Sequence, residues 1–161
     1  SQGLGEALSL HLSKQEVHLS IAARTEKNLK LIQEKCISIN PKTTCNYYKV
    51  DITNENDISN CIETSIKKWG FPSLIINSAG IAHPGFINEM KMEIYKKDME
   101  LNYFGNLKLM KEIINQDNNK KDTIKENIDI VCVGSVLGII GSIGYTTYTP
   151  TKYALKLLAK Y

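Results

Sequence analysis

Tyr148-Thr149-Pro150-Thr151-Lys152 sets a phenol and an ammonium four residues apart. In a helix, positions i and i+4 share a face, so the two groups come within reach of each other. A cation about 4 Å from a phenolate is worth about 4 kcal/mol at an effective dielectric of about 20, and one pKa unit is about 1.4 kcal/mol. Such a pair carries a phenol from about 10 toward physiological pH, which is what a general acid or base for a ketone or alcohol requires. Pro150 suits this helix only in the first turn, where its missing N–H has no partner to lose. Ser135 lies 13 residues before Tyr148, just past an apolar run, and its hydroxyl could bond the same carbonyl oxygen. Arg24, Asp51 and Asn77-Ser78-Ala79-Gly80 likewise follow apolar runs. His83 reads as a loop histidine near a substrate entrance rather than as a base.

Alternating helical and extended patterns must position these groups. The spacing predicts a helix from Leu4 to about Ser13, a strand over Val17 to Ala22, and a helix with Thr25 as N-cap whose Leu29, Ile32 and Cys36 share one face. A strand over Asn46 to Val50 follows. Ile58, Cys61, Ile62, Ser65, Ile66 and Trp69 then recur at helical spacing, and Gly70 ends that helix. Leu74 to Ile76 and Ile128 to Val133 are short continuous apolar runs of the kind buried on both faces of a parallel sheet. Between them a helix is predicted from Ile94 to Ile114, with Tyr103, Leu107, Met110 and Ile114 on its packing stripe. A last helix is predicted from Tyr145 to Tyr161. Units of this kind imply right-handed βαβ crossovers: an α/β fold with a Rossmann-type, doubly wound parallel sheet in three αβα layers. Ligands of such sheets bind beyond the carboxyl ends of the strands, where Arg24, Asp51, Asn77 and Ser135 lie.

In this order, these residues resemble the short-chain dehydrogenase/reductase family, whose mark is a serine about 13 residues before Tyr-x-x-x-Lys. Ser1-Gln2-Gly3-Leu4-Gly5 is similar to the end of that family's phosphate loop, Asp51-Ile52 to its adenine contact, and Asn77-Ser78-Ala79-Gly80 to its N-x-A-G turn. Asn102, in Leu101-Asn102-Tyr103-Phe104-Gly105, matches the helix asparagine of the catalytic tetrad. The resemblance implies that Tyr148 exchanges the proton, that Lys152 tunes it and holds the nicotinamide ribose, and that Ser135 polarises the substrate oxygen. Asn102 would carry a water linking Lys152 to solvent. The cofactor-binding set would be Ser1, Gln2, Gly3, Leu4, Gly5, Arg24, Asp51, Ile52, Asn77, Ala79, Gly80, Tyr148 and Lys152. Arg24 stands where an acid would favour NAD, and a guanidinium suits the 2′-phosphate of NADP(H). Asn28 occupies the position of a second basic residue in many relatives, so Lys27 or Lys30 would have to substitute. Within the family, the stretches around Asn77 to Gly85, Asn102 to Gly105 and Gly144 to Tyr148 are most similar to 3-ketodihydrosphingosine reductases. That implies NADPH-dependent reduction of 3-dehydrosphinganine at the cytosolic face of the endoplasmic reticulum, a long-chain sphingoid base precursor as substrate, peripheral membrane contact, and a homodimer or homotetramer. A reductase of steroids, retinoids or other hydrophobic ketones, a sugar-nucleotide epimerase, and a non-catalytic dinucleotide-binding module are the alternatives.

The 161 residues are 42% hydrophobic and 23% charged, with net charge +3, which speaks against a nucleic-acid partner. The charged stretch from Gln116 to Glu126 balances its signs and reads as a solvated loop. No apolar run reaches the roughly 20 residues of a membrane span, so the segment reads as soluble. Cys36, Cys45, Cys61 and Cys132 lack metal-ligand spacing and read as reduced structural thiols. One dinucleotide-binding domain is expected over residues 1–161. It would be an internal portion of a longer one, lacking the family's first strand and later segments, and inactive if it truly starts at Ser1 and stops at Tyr161.

Overall fold

The computed structural model describes residues 3–118 and 128–159, and the chain divides into two units, Ser1–Phe71 and Pro72–Tyr161. In the first unit, α1 (Leu4–Leu12), β1 (His18–Ala23), α2 (Glu26–Ile39), β2 (Thr44–Lys49) and α3 (Glu55–Trp69) follow one another. β1 and β2 are parallel, in register from His18 opposite Thr44 to Ala23 opposite Lys49. A parallel pair needs a crossover, which α2 supplies. Its apolar residues recur at helical spacing, so Leu29, Ile32 and Cys36 fall on one buried face. Ile32 and Cys36 join Cys45 of β2 in a small core against which Leu10, Leu19 and Ile21 pack. Asn54 caps α3 by accepting from the N–H groups of Asn56 and Asp57, and Gly70, at φ 82°, closes it with its own N–H on the Ile66 carbonyl. The Val50 N–H donates to the Ala23 carbonyl at 2.9 Å, one step past β2, leaving Arg24 and Asp51 at the carboxyl ends of neighbouring strands.

The second unit holds β3 (Leu74–Asn77), α4 (Met92–Met99), a π-turn (Glu100–Phe104), α5 (Gly105–Asn118), β4 (Asp129–Cys132), a 3-10 turn (Val136–Gly138) and α6 (Tyr148–Leu158). β3 and β4 are parallel, with Leu74 opposite Asp129 and Asn77 opposite Cys132. The two pairings, β1 with β2 and β3 with β4, are those of a doubly wound sheet. Leu101, Ile113 and Leu155 are buried, together with the polar side chains of Asp98, Asn102, Asn106, Thr147, Thr151 and Lys152.

Three sequence-based expectations differ from this structure. The runs containing β3 and β4 suggested strands covered on both faces, yet Leu74 is 43% and Val131 46% exposed. The faces of a parallel sheet are covered by packed helices, and these two side chains lack such cover among the described residues. The stripe through Tyr103, Leu107, Met110 and Ile114 is not the buried face: Ile114 is half exposed, and Asp98, Asn102 and Asn106, at steps of four, are buried instead. The π-turn adds about one residue to a helical turn and so shifts the phase of the residues beyond it. The last helix begins at Tyr148, because Tyr145 is engaged in a parallel bridge with Gly85. Of the charged stretch from Gln116 to Glu126, residues 119–126 lie outside the described residues, as do Ser1 and Gln2.

Candidate active site

α6 carries the reactive pair. Thr147 precedes it, and Pro150 is its third residue, where the absent N–H has no intrahelical acceptor. Lys152 sits one turn after Tyr148 and is 4% exposed. Its ammonium donates to the Val133 carbonyl at 2.8 Å and lies 5.7 Å from the centre of the Tyr148 ring. That places a cation against the Tyr148 ring, as the i to i+4 spacing on one helix leads one to expect. Burial pushes the Lys152 ammonium below its ordinary range, with Cys132 acting in the opposite direction.

Asn102 occupies the middle of the π-turn and is fully buried. Its Oδ1 accepts from the Ile81 N–H at 2.8 Å, while its Nδ2 donates to the Ile81 carbonyl at 2.8 Å and to Thr151 Oγ1 at 3.0 Å. Both amide protons are thereby committed, so a water on Asn102 would need the second lone pair of Oδ1 or the main-chain carbonyl. Gly80 closes the group: a Cβ there would stand 3.4 Å from Asn102 Oδ1 and 3.5 Å from Lys152 Nζ. Ser135 follows β4 in extended conformation, and its Oγ accepts from the Leu137 N–H at 3.2 Å, which leaves the hydroxyl proton to be donated. Thus Asn77, Ala79, Gly80, Asn102, Tyr148 and Lys152 are tied together through Ile81, Thr151 and Val133, while Ser135 is held by its own turn. Asn77 Oδ1 accepts from the Ala79 N–H at 3.2 Å, and its buried Nδ2 has no partner among the described residues.

The first unit holds the other candidates. Gly3, at φ 61°, stands at the N-terminus of α1, and among the described residues no atom fills the place of a Cβ and no side chain caps the helix. Such exposed N–H groups and the helix dipole suit a phosphate. Leu4 and Gly5 form the first turn. Arg24 is exposed. Asp51 Oδ1 accepts from the N–H and the hydroxyl of Thr53, at 2.9 and 2.8 Å, and these bonds hold the carboxyl below its usual range, with a smaller contribution from Arg24. Ile52 adjoins it. Lys30, one of the two candidates to replace the basic residue missing at Asn28, pairs with Glu26 at 3.4 Å. Taken unit by unit, the donor chemistry suits parts of a nicotinamide dinucleotide: in the first, an open helix start and an exposed guanidinium past a strand end suit phosphates, and in the second, a glycine lies against a buried ammonium.

Sequence reasoning overlooked several residues that organise this site. Thr151 and Thr147 are buried hydroxyls that bond Asn102 and the His83 carbonyl. Gly138 approaches the Lys152 backbone closely. The signal available was a polar series at helical spacing, Asp98, Asn102 and Asn106, in a segment scanned for apolar periodicity.

The whole chain, residues 1–161, matches the family model described as short chain dehydrogenase. A Dictyostelium discoideum protein named 3-ketodihydrosphingosine reductase is 32% identical over 99% of this chain and 51% of its own length. A Danio rerio protein named 3-dehydrosphinganine reductase is 30% identical over 99% of this chain and 48% of its length. The chain spans about half the length of the curated relatives it matches. Among solved structures, an alcohol dehydrogenase from the archaeon Thermococcus sibiricus, complexed with 5-hydroxy-NADP, aligns with a TM-score of 0.87 at 17% identity, over 98% of this chain and 64% of that one. An actinorhodin polyketide ketoreductase variant with NADPH aligns at 0.84 and 18% identity, over 98% and 59%. At these identities the solved structures establish the fold.

Proposed function

The chain belongs to the short-chain dehydrogenase/reductase family, and from that membership we propose that the full-length protein is a carbonyl reductase that uses NADPH to reduce 3-dehydrosphinganine to sphinganine. The observation that carries the catalytic part is the buried Lys152 ammonium, fixed by the Val133 carbonyl one turn from Tyr148 and packed against Gly80 and Asn102. A buried charge is expensive to maintain, and this one is placed where it stabilises a phenolate. The substrate part rests on the two curated relatives and on the similarity of the segments around Asn77, Asn102 and Tyr148.

When bound, a reduced nicotinamide supplies the hydride. Gly3, Leu4 and Gly5 would hold the pyrophosphate with backbone N–H groups. Arg24 would take the 2′-phosphate by a paired hydrogen bond, which is the reason for NADPH over NADH. Asp51 and Ile52 would border the adenine, Asn77, Ala79 and Gly80 would line the chain's approach to the ribose, and Lys152 and Tyr148 would bind the ribose hydroxyls. Ser135 donates its O–H to the ketone oxygen and orients it. Tyr148 gives its Oη proton to that oxygen, and Lys152 offsets the charge left on the ring oxygen. Asn102 holds Ile81 and Thr151, so the turn carrying Gly80 and the helix carrying Lys152 keep a common register. By resemblance the protein works as a homodimer or homotetramer at the cytosolic face of the endoplasmic reticulum; among the described residues no helix is long and apolar enough to cross a membrane.

The test uses the full-length protein with 3-ketodihydrosphingosine and NADPH, following absorbance of the reduced nicotinamide. Turnover should vanish into background in Tyr148→Phe. Equal rates for the two proteins would end the catalytic assignment, and turnover of other ketones only would end the substrate assignment.

A further inference from the structure

The segment after Gly80 is laced to the long helix at two points one turn apart. Asn102 clamps both the N–H and the carbonyl of Ile81. Four residues earlier, Asp98 Oδ1 lies 2.6 Å from His83 Nδ1, and with a carboxylate as acceptor the ring nitrogen is the donor. Asp98 is fully buried, and its Oδ2 has no partner among the described residues, so His83 is the group that satisfies it. The main chain of His83 faces another element: its carbonyl accepts from Thr147 Oγ1 at 2.9 Å. Thr147 is 2% exposed and immediately precedes Tyr148. Two residues on, the Gly85 N–H donates to the Gly144 carbonyl at 2.8 Å. A parallel contact is added by Tyr95, whose hydroxyl is 2.9 Å from Thr146 Oγ1.

The geometry points to His83 and Asp98 as positioning residues for Tyr148. His83 is the middle link of a chain that runs from Asp98 on α4, through the imidazole and the His83 carbonyl, to Thr147 at the start of α6. Their effect is to seat the first turn of α6, and with it Tyr148, against the segment after Gly80, whose Ile81 is held separately by Asn102. The pair is also poorly replaceable by accident. A carboxylate buried with one orphaned oxygen loses its sole compensation when the imidazole is removed, and the segment must then move to rehydrate it. The inference rests on the reading of Tyr148 as proton donor, but its structural half does not.

Two measurements on the full-length protein separate them. The first is hydrogen–deuterium exchange of the amides over residues 144–151, which include the Thr149 N–H bonded to the Tyr145 carbonyl. Asp98→Ala and His83→Ala should speed exchange there, and His83→Asn, which retains a donor near the Nδ1 position, should restore most of the protection. The second is the kcat and KM for NADPH-dependent reduction of 3-ketodihydrosphingosine. Misplacement by about 1 Å costs roughly a hundredfold, so a partial shift should lower kcat by roughly ten- to a hundredfold with KM nearly unchanged, and His83→Asn should again recover most of it. Should Asp98→Ala fail to fold, His83→Ala is read in the same way, its side chain being 35% exposed. A folded alanine variant with unaltered exchange over 144–151 overturns the proposal whatever the activity. Faster exchange combined with full activity in Tyr148→Phe leaves the positioning intact and overturns the catalytic reading instead.

Discussion

Replacing Gly138 by alanine would place a methyl carbon 2.9 Å from the Lys152 carbonyl oxygen, 3.1 Å from its carbonyl carbon and 3.3 Å from its Cβ. Two of these neighbours are backbone in the middle of α6, so no side-chain rotation relieves the contact. Restoring an ordinary separation of about 3.4 Å from 2.9 Å means moving the 3-10 turn and α6 apart by about 0.5 Å, an overpacking that costs about 1–3 kcal/mol. The alanine recovers about 0.4–1 kcal/mol by restricting the unfolded chain, so at mid-range values a net loss of about 1.3 kcal/mol remains. With a urea slope of about 2 kcal/mol per molar, the unfolding midpoint should fall by about 0.6 M. The displaced atoms belong to the residue that faces Tyr148, and if 1 Å is worth roughly a hundredfold in rate, half of that is worth roughly tenfold. Gly134→Ala is the matched control for stability, because a Cβ there meets no atom within 4 Å and the backbone is in an ordinary region. The assay is urea unfolding of both variants, followed by kcat for the Gly138 variant in the full-length protein. Equal midpoints for the two variants, together with an unchanged kcat, would refute the claim that α6 is seated on Gly138.

Lys152→Met should abolish most turnover while altering the pH dependence of stability. Burial lowers the Lys152 pKa in the folded state, so between that value and 10.5 the unfolded chain binds more protons and stability rises with pH. Wild type should therefore gain on the methionine variant as pH climbs toward 10.5 in urea unfolding; a constant difference would count against the burial of a charge. Arg24→Ser should raise KM for NADPH by roughly ten- to a hundredfold, the worth of a charge-assisted hydrogen bond of about 1.5–3 kcal/mol, and leave KM for NADH nearly unchanged. Equal effects on both cofactors would remove Arg24 from the 2′-phosphate. Burial pushes the Cys45 thiol up to about 12 and the Cys61 thiol up to about 11, so neither should react with iodoacetamide at pH 8 until urea unfolds the chain, as mass spectrometry of the labelled peptides would reveal.

The parts of this protein that its sequence makes legible are those in which one face is apolar and one polar. Leu29, Ile32 and Cys36 announce α2, and Gly70 marks the end of α3 by a positive φ that a Cβ would resist, whereas sequence reasoning overlooked the Asn54 cap at its start. The Tyr148 and Lys152 pair is legible for a related reason: the spacing i to i+4 is a local rule, and α6 obeys it. The site's supports follow no local rule. Thr151 reaches Asn102, Thr147 reaches the His83 carbonyl, and His83 reaches Asp98, each joining segments far apart in sequence.

The long helix shows why apolar periodicity failed where it mattered most. Its buried side chains from Asp98 to Asn106 include a carboxyl group and two amides, each of which needs a partner, and for Asp98 and Asn102 only the tertiary fold supplies it. Asn102 finds Ile81 and Thr151, Asn106 Nδ2 finds the Asn102 carbonyl at 2.8 Å, and Asp98 finds His83. The Asn102 carbonyl thus receives a side-chain donor inside the π-turn, where the regular helical ladder is interrupted. A hydrophobic face would have been readable from sequence and would have packed without specifying a single register, since apolar contacts tolerate sliding by fractions of an ångström. A polar face held by directional hydrogen bonds, as at Asn102 and Asp98, favours one register. The same feature that hid this face from apolar periodicity therefore suits it to hold Gly80, Tyr148 and Lys152 in fixed relation.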